Sequence, residues 1–325
     1  MSTNLQPTAG TNAAPTPAPA AKSPKPMGPW RLTWNKFRRN PFAMSGLVVL
    51  SIFVIAAIFA PWLAPHKPDA VNYYANSLKP GEQGYILGTD ELGRDILSRL
   101  LYSARISLSV GFAVAAGAVL IGTLIGSMSG FFGGWVDIIF MRWVDVMNSV
   151  PLLFLNILIL AIFGDSFWYM IGIMIFTSWM GVARLVRGSF LQLREMQFVE
   201  AAKAIGVSSW GIIFRHLLRN ASFPIIVNAT LMVGGAILAE SGLSYLGLGI
   251  QSPQTSWGQM LSKAQEFMLV DPMQGVYPGL CILLVVLAVN FIGDGIRDAL
   301  DPRQKMHLSP RRLEQWRAKF SKSTK

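Results

Sequence analysis

The chain is divided by long stretches that carry no charged side chain. Residues 43–62, 106–136, 146–164, 166–183, 221–239 and 272–293 contain no Asp, Glu, Lys or Arg. A helix crossing the hydrocarbon of a bilayer needs about 20 such residues. Six crossings are therefore expected, with 166–183, at the short limit, the weakest of the set. Pro61 and Pro65 close the first window, and the Gly/Ala-rich early part of the second is long enough to cross once. Asp165 reads as a tight turn between the third and fourth. Across the whole chain 52% of residues are hydrophobic and 14% charged, against about 25% charged in a soluble protein. There is not enough polar surface here for a soluble enzyme.

One further charge-free stretch, 241–262, behaves differently. Gly242, Gly247, Gly249, Pro253 and Gly258 interrupt it, together with Ser, Gln and Thr. Backbone facing lipid must satisfy its own hydrogen bonds, so this stretch is expected to be a re-entrant or outer-surface loop packed on protein. Residues 30–39 mix aromatic and basic side chains, as an interfacial helix leading into the first span does. The Pro/Ala/Thr/Ser-rich start has no apolar core of the kind a cleaved signal peptide needs, and reads as a flexible tail.

The net charge of +11 is an orientation signal. Lys22, Lys25, Arg31, Lys36, Arg38 and Arg39 precede the first span with no acid among them. The 66–104 loop is balanced toward acid, whereas Arg184, Arg187, Arg194, Lys203, Arg215 and Arg219 outnumber Glu195 and Glu200 in 184–220. The last segment is again net basic. Lys and Arg accumulate on the cytoplasmic side, so both termini and 184–220 are expected in the cytoplasm, and nucleic acid is not the partner. The expected organisation is a cytoplasmic tail over 1–40, a first span and outer loop over 41–104, a transmembrane core over 105–297 and a cytoplasmic tail over 298–325.

Three segments could carry function. In the first, Ala201, Ala202 and Ala204 favour a slim helix, Gly206 suits the left-handed residue that ends it, and Ser208 can cap a second short helix. Such an elbow, with Arg215 further on, could dock on a cytosolic partner; a plain helical loop covering the bundle fits the residues equally well. In the second, Asp95 can cap an amphipathic helix whose apolar stripe is Ile96, Leu97, Leu100 and Leu101. Binding roles for Asp90, Arg94 or Asp95 are outweighed by capping and local ion pairs. In the third, Asp137, Arg142 and Asp145 stand at helical spacings near a membrane boundary, where unpaired charges are costly, and are expected to pair with one another. Glu240 lies near the outer end of the fifth span. With Ser244 it is a candidate for a substrate path, although a carboxylate tied down by Ser241 or Ser244 is favoured.

Glu200-Ala201-Ala202, then Gly206 and an apolar run to Asn220, resemble the EAA loop of ABC importer permeases. The run Leu87-Gly-Thr-Asp-Glu-Leu-Gly-Arg-Asp95 resembles the LGTDxxGRD signature of the C-type permease of dipeptide and oligopeptide importers, which marks Asp90, Gly93, Arg94 and Asp95 as an outer-face motif. Gly133-Gly134-x-x-Asp137, Met141-Arg142, Asp145, Ser149-x-Pro151, Glu240–Gly249, Trp257-Gly258 and 291–302 follow the family pattern in order. The resemblance implies an all-α, polytopic fold of the type I ABC importer permease. It also implies a coupling helix, formed by Glu200, Ala201, Ala202, Gly206, Ser208 and Arg215, that seats on an ATPase subunit. Two ATPases holding ATP and Mg, a second permease, an external substrate-binding protein and a peptide substrate would complete the importer in the bacterial inner membrane. One departure stands out: Leu218-Arg219-Asn220 replaces the frequent Leu-Pro-Asn, which leaves a continuous helix open.

The chain has no Gly-x4-Gly-Lys-Ser/Thr loop, so it is not expected to hydrolyse ATP itself. Cys281 is the lone cysteine, and His66, His216 and His307 make no metal spacing. No cofactor bound by this chain is expected. A nickel-complex importer is the alternative within the same family. An ion-gradient transporter is the alternative from another class, but it predicts inverted repeats that the chain does not show.

Overall fold

A computed structural model describes residues 29–164 and 166–300, all helices, turns and loops, with no strand among them. Most of both expected tails, and the turn at Asp165, lie outside the described residues. In chain order the helices are α1 (Pro29–Phe37), α2 (Pro41–Ile58), α3 (Ala60–Leu63), α4 (Ile96–Phe132), α5 (Gly134–Asn148), α6 (Leu152–Phe163), α7 (Phe167–Leu193), α8 (Gln197–Ala204), α9 (Ser209–Gly211), α10 (Leu218–Tyr245), α11 (Trp257–Glu266) and α12 (Met273–Leu300). Local chemistry sets their boundaries. Asn40 caps α2 by accepting from the amides of Phe42 and Ala43, with Pro41 pre-set at the first helical position. Asp95 caps α4, and Gly133 at φ +63° separates α4 from α5.

Among the described residues, five stretches are long and apolar enough to span a membrane: α2, α4, α7, α12 and the run Ser209–Tyr245. The sixth crossing differs from the sequence expectation. The 146–164 window is not one helix, because α5 and α6 meet at 84° across residues 149–151. Pro151 disfavours helical backbone at Val150, and α6, at 12 residues, spans only about 18 Å. The fourth window, expected to be the weakest, is instead a 27-residue helix that continues past Arg184 and Arg187 to Leu193. Several loop expectations are corrected in the same direction. The 95–105 segment is no separate surface helix but the first turns of the 37-residue α4. The 241–262 stretch is helical to Tyr245, a loop over 246–256, and helical again from Trp257. The second helix of the elbow is not short; it runs without a break from Ser209 to Tyr245 through a π-helical turn, Ile212–Leu217.

Both described ends of the chain meet at one end of the bundle. Phe37, Ala43 and Ala299 form a buried cluster, and Asn40 donates to Asp298 at 3.5 Å. We call this the elbow end, because the α7–α9 connection lies there too, and the opposite side the signature end, after the 87–95 turn.

The α4–α7 pair is the most extensive helix contact. It depends on close backbone approach, the favoured mode where lipid removes any hydrophobic drive between helices. A Cβ at Gly122 would lie 2.6 Å from the Trp179 carbonyl oxygen, and one at Gly126 2.5 Å from that of Ala183. At Gly130 it would meet the Phe190 Cβ at 2.6 Å. Gly126→Leu is therefore expected to destabilise the protein by about 1–3 kcal/mol through overpacking. The readout is a lower melting temperature in detergent. Gly172→Ala, with no neighbour within 4 Å of the added atom, should not lower it and can raise it slightly through better helix propensity.

Candidate functional site

The elbow begins where α8 ends. Gly206 adopts φ +81°, its amide donates to the Lys203 carbonyl at 3.0 Å, and the Val207 amide reaches back to Ala202 at 3.0 Å. This pairing closes a helix around a left-handed residue. Two residues later Ser208 caps α9, its Oγ accepting from the Gly211 amide at 3.3 Å. The elbow is anchored on one side only. Val199, Ala202, Ile212, Ile213 and Leu217 are buried against Val182, Val186 and Phe190 of α7. On the other side Glu200, Ala201, Lys203 and Arg215 are exposed, and Ile205 is 81% exposed beside Trp210 and Phe214 at about half. Trp210 and Phe214 stack at 5.8 Å, so this apolar surface is ordered.

At the signature end the charges of the 87–95 turn are held by local partners. The Asp90 carboxylate accepts from the amides of Leu92 and Arg94, from Arg94 Nε at 2.7 Å and from Arg99. Gly93, at φ +71°, packs so tightly that a Cβ would fall 1.9 Å from the Asn72 carbonyl. Asp95 accepts from the Ser98 amide at 3.0 Å and from its hydroxyl. Asp90 and Asp95 are both buried. The arrangement is a rigid turn that launches α4, as the capping and ion-pair reading expects.

Glu240 is fully buried. Ser244 donates to it at 2.7 Å, Ser107 of α4 at 3.2 Å and Ser241 at 3.5 Å. Ser107 and Ser244 also accept the amides of Trp257 and Ile250. Trp257, with no exposed surface, donates through Nε1 to the Leu100 carbonyl at 3.2 Å. One carboxylate thus ties α4, α10 and the loop into α11 together. This arrangement is that of a carboxylate tied down by its serines.

The third expected constellation is corrected. Asp137 does not pair with Arg142; it accepts from Arg187 Nε at 2.5 Å and Nη2 at 2.6 Å, and from Ser129. Asp145 pairs with Arg184 at 3.0 Å. Both partners come from α7, because α7 continues through the region read from sequence as a loop. These partners, Ser107 and the π-turn were not singled out from sequence. The small-residue register Ser103, Ser107, Gly111, Ala115 along α4 was the available signal for Ser107.

Two family models match. One, described as a binding-protein-dependent transport system inner membrane component, covers residues 122–306. The other, the N-terminal TM domain of oligopeptide transport permease C, covers residues 28–80. The chain belongs to the ABC importer permease family. It is a C-type subunit of the dipeptide/oligopeptide group and a multi-pass membrane protein, which sets aside the ion-gradient alternative. Among its relatives is a dipeptide transport system permease of Alkalihalophilus pseudofirmus, 41% identical over 300 residues, covering 90% of this chain and 98% of that one. An oligopeptide transport system permease of Haemophilus influenzae is 40% identical, covering 85% and 89%. A glutathione transport system permease of Escherichia coli O157:H7 is 41% identical, covering 88% and 95%.

Removing the fastening should be felt in assembly of the permease. Glu240→Leu leaves buried serine hydroxyls without their acceptor, a cost of about 1–3 kcal/mol, and is expected to lower the melting temperature. Glu240→Gln keeps an acceptor for Ser107 and Ser244 and should stay near the parent. Equal melting of all three proteins would show that the network contributes nothing.

Proposed function

We propose that this permease is the C-type translocation subunit of an ATP-driven importer that carries di- and oligopeptides into the cell. In this reading both ends of the described chain and the elbow face the cytoplasm of a bacterial inner membrane. Two ATPase subunits, with ATP and Mg, seat on Glu200, Ala201, Ala202, Gly206, Ser208 and Arg215. A related permease completes the path, and an extracytoplasmic binding protein delivers substrate at the signature end. The basic excess of 184–220 supports this orientation.

The observation that carries the coupling role is the one-sided elbow. Its inner face is locked to α7, its outer face leaves Ile205, Trp210 and Phe214 uncovered, and its second helix is the same body as the fifth span. A movement of an ATPase against the outer face would reach the membrane without passing through a flexible loop. The bundle would then shift as a rigid body between outward- and inward-facing states. The peptide class is supported by the relatives' names, which include dipeptide, oligopeptide and glutathione systems.

Nothing lies within 4 Å of a Cβ built on Gly206, so a substitution there acts through the left-handed backbone alone. Gly206→Val is expected to reduce uptake at least tenfold while the assembled complex still hydrolyses ATP. Uptake at the parental rate, with normal expression, would remove the elbow from the mechanism. Cells lacking this subunit should lose uptake of labelled dipeptides and longer peptides while nickel uptake continues; the reverse pattern would exclude the peptide reading.

A further inference from the structure

Between α5 and α7 at the elbow end is an open cleft of about 530 Å3, lined by Asp137, Ile138, Met141, Arg142, Asp145, Arg184 and Arg187. Its charges do not cancel. Arg187 is taken by Asp137 and Arg184 by Asp145, which leaves Arg142 exposed and with no ion pair among the described residues. The cleft therefore carries a net charge of +1, with the two α7 guanidiniums held by their aspartates.

Its depth can be read along α7. Arg184 and Arg187 stand 17 and 20 residues after Phe167, so they lie about 26 and 30 Å along the helix axis. A bilayer's hydrocarbon is about 30 Å thick. Aromatic side chains mark both limits, as they do at membrane–water boundaries. Trp168 and Tyr169 are 74% and 54% exposed at the signature end, and Trp135 and Trp143 are 80% and 54% exposed beside the cleft. Ile138, half exposed, lines the cleft itself, and Ile139 and Val146 extend the apolar surface along α5. An unpaired cation at headgroup depth thus sits at the head of a strip that acyl chains can cover.

We propose that this cleft binds the phosphate of an anionic phospholipid headgroup, with Arg142 as its principal cation and Arg184 as the second donor. Asp137 and Asp145 hold the α7 guanidiniums in place, and the acyl chains lie against Ile138, Ile139 and Val146. Basic pockets of this kind between transmembrane helices suit lipid phosphates. The site does not depend on which substrate the importer carries.

The test is retention of radiolabelled phosphatidylglycerol by the purified, fully assembled transporter without substrate, compared with phosphatidylcholine. The parent should prefer phosphatidylglycerol. Arg142→Gln should weaken that preference about fivefold, the effect of one cation near a lipid surface. Arg142→Lys should restore most of it, and millimolar inorganic phosphate should not displace the lipid. Arg142 is exposed, so the variants are compared in complexes of equal subunit stoichiometry. Unchanged retention in Arg142→Gln, displacement by free phosphate, or displacement by peptide would each overturn the assignment. The last would place the cleft in the substrate path. Loss of peptide uptake is read separately and bears only on the proposed transport role.

Discussion

The structure depends on two helices coming close enough that backbone touches backbone. In lipid an apolar side chain gains nothing by moving from acyl chains to a neighbouring helix. Association has to come from close packing, which glycine permits by leaving out the Cβ. Gly122, Gly126 and Gly130 place α4 against α7 in this way, and Gly111 brings the other end of α4 against Val233 and Ile237 of α10. Because α4 touches α7 at the elbow end and α10 toward the signature end, it serves as the common post. The polar fastenings follow from that placement. Arg187 reaches Asp137, and Glu240 reaches Ser107, only where the helix axes have already been drawn together.

How much of this could be read beforehand varied with the range of the interaction. Windows without charge revealed the spans, since a charged group in hydrocarbon is penalised wherever its neighbours lie. The caps at Asn40, Asp95 and Ser208 and the left-handed Gly206 are local, and Asp95, Ser208 and Gly206 were legible from the residue at the position alone. The kink between α5 and α6 was hidden because a hydropathy window counts charges and does not register what Pro151 does to Val150. The partners of Asp137 and Asp145 were misassigned for a related reason. Arg184 and Arg187 look like loop residues when a helix is ended at its last apolar residue, yet a helix continues as far as its backbone bonds and packing allow. The Glu240–Ser107 contact joins residues 133 apart in sequence, and spacing along one helix cannot indicate such a pairing.

The two ends of the bundle are built on different principles. At the signature end the buried charges are held by partners within the chain: Asp90 by Arg94 and Arg99 and Glu240 by its serines, while Trp257 donates to the Leu100 carbonyl. At the elbow end Ile205, Trp210, Phe214 and Arg142 remain open to other molecules. An internally satisfied end keeps its shape whichever molecule approaches, whereas an open end offers contacts that a protein or lipid can complete.

The missing proline at position 219 gives the run from Ser209 to Tyr245 a mechanical property. With 37 residues in one run, its length is about 55 Å, and Pro224 is the one proline inside it. Over such a length a tilt of about 10° about the midpoint corresponds to a displacement of roughly 5 Å at each tip, close to one helical turn. The π-turn at Ile212–Leu217 lies at the end of this run that carries the elbow, so any bend there moves the least length of helix beyond it.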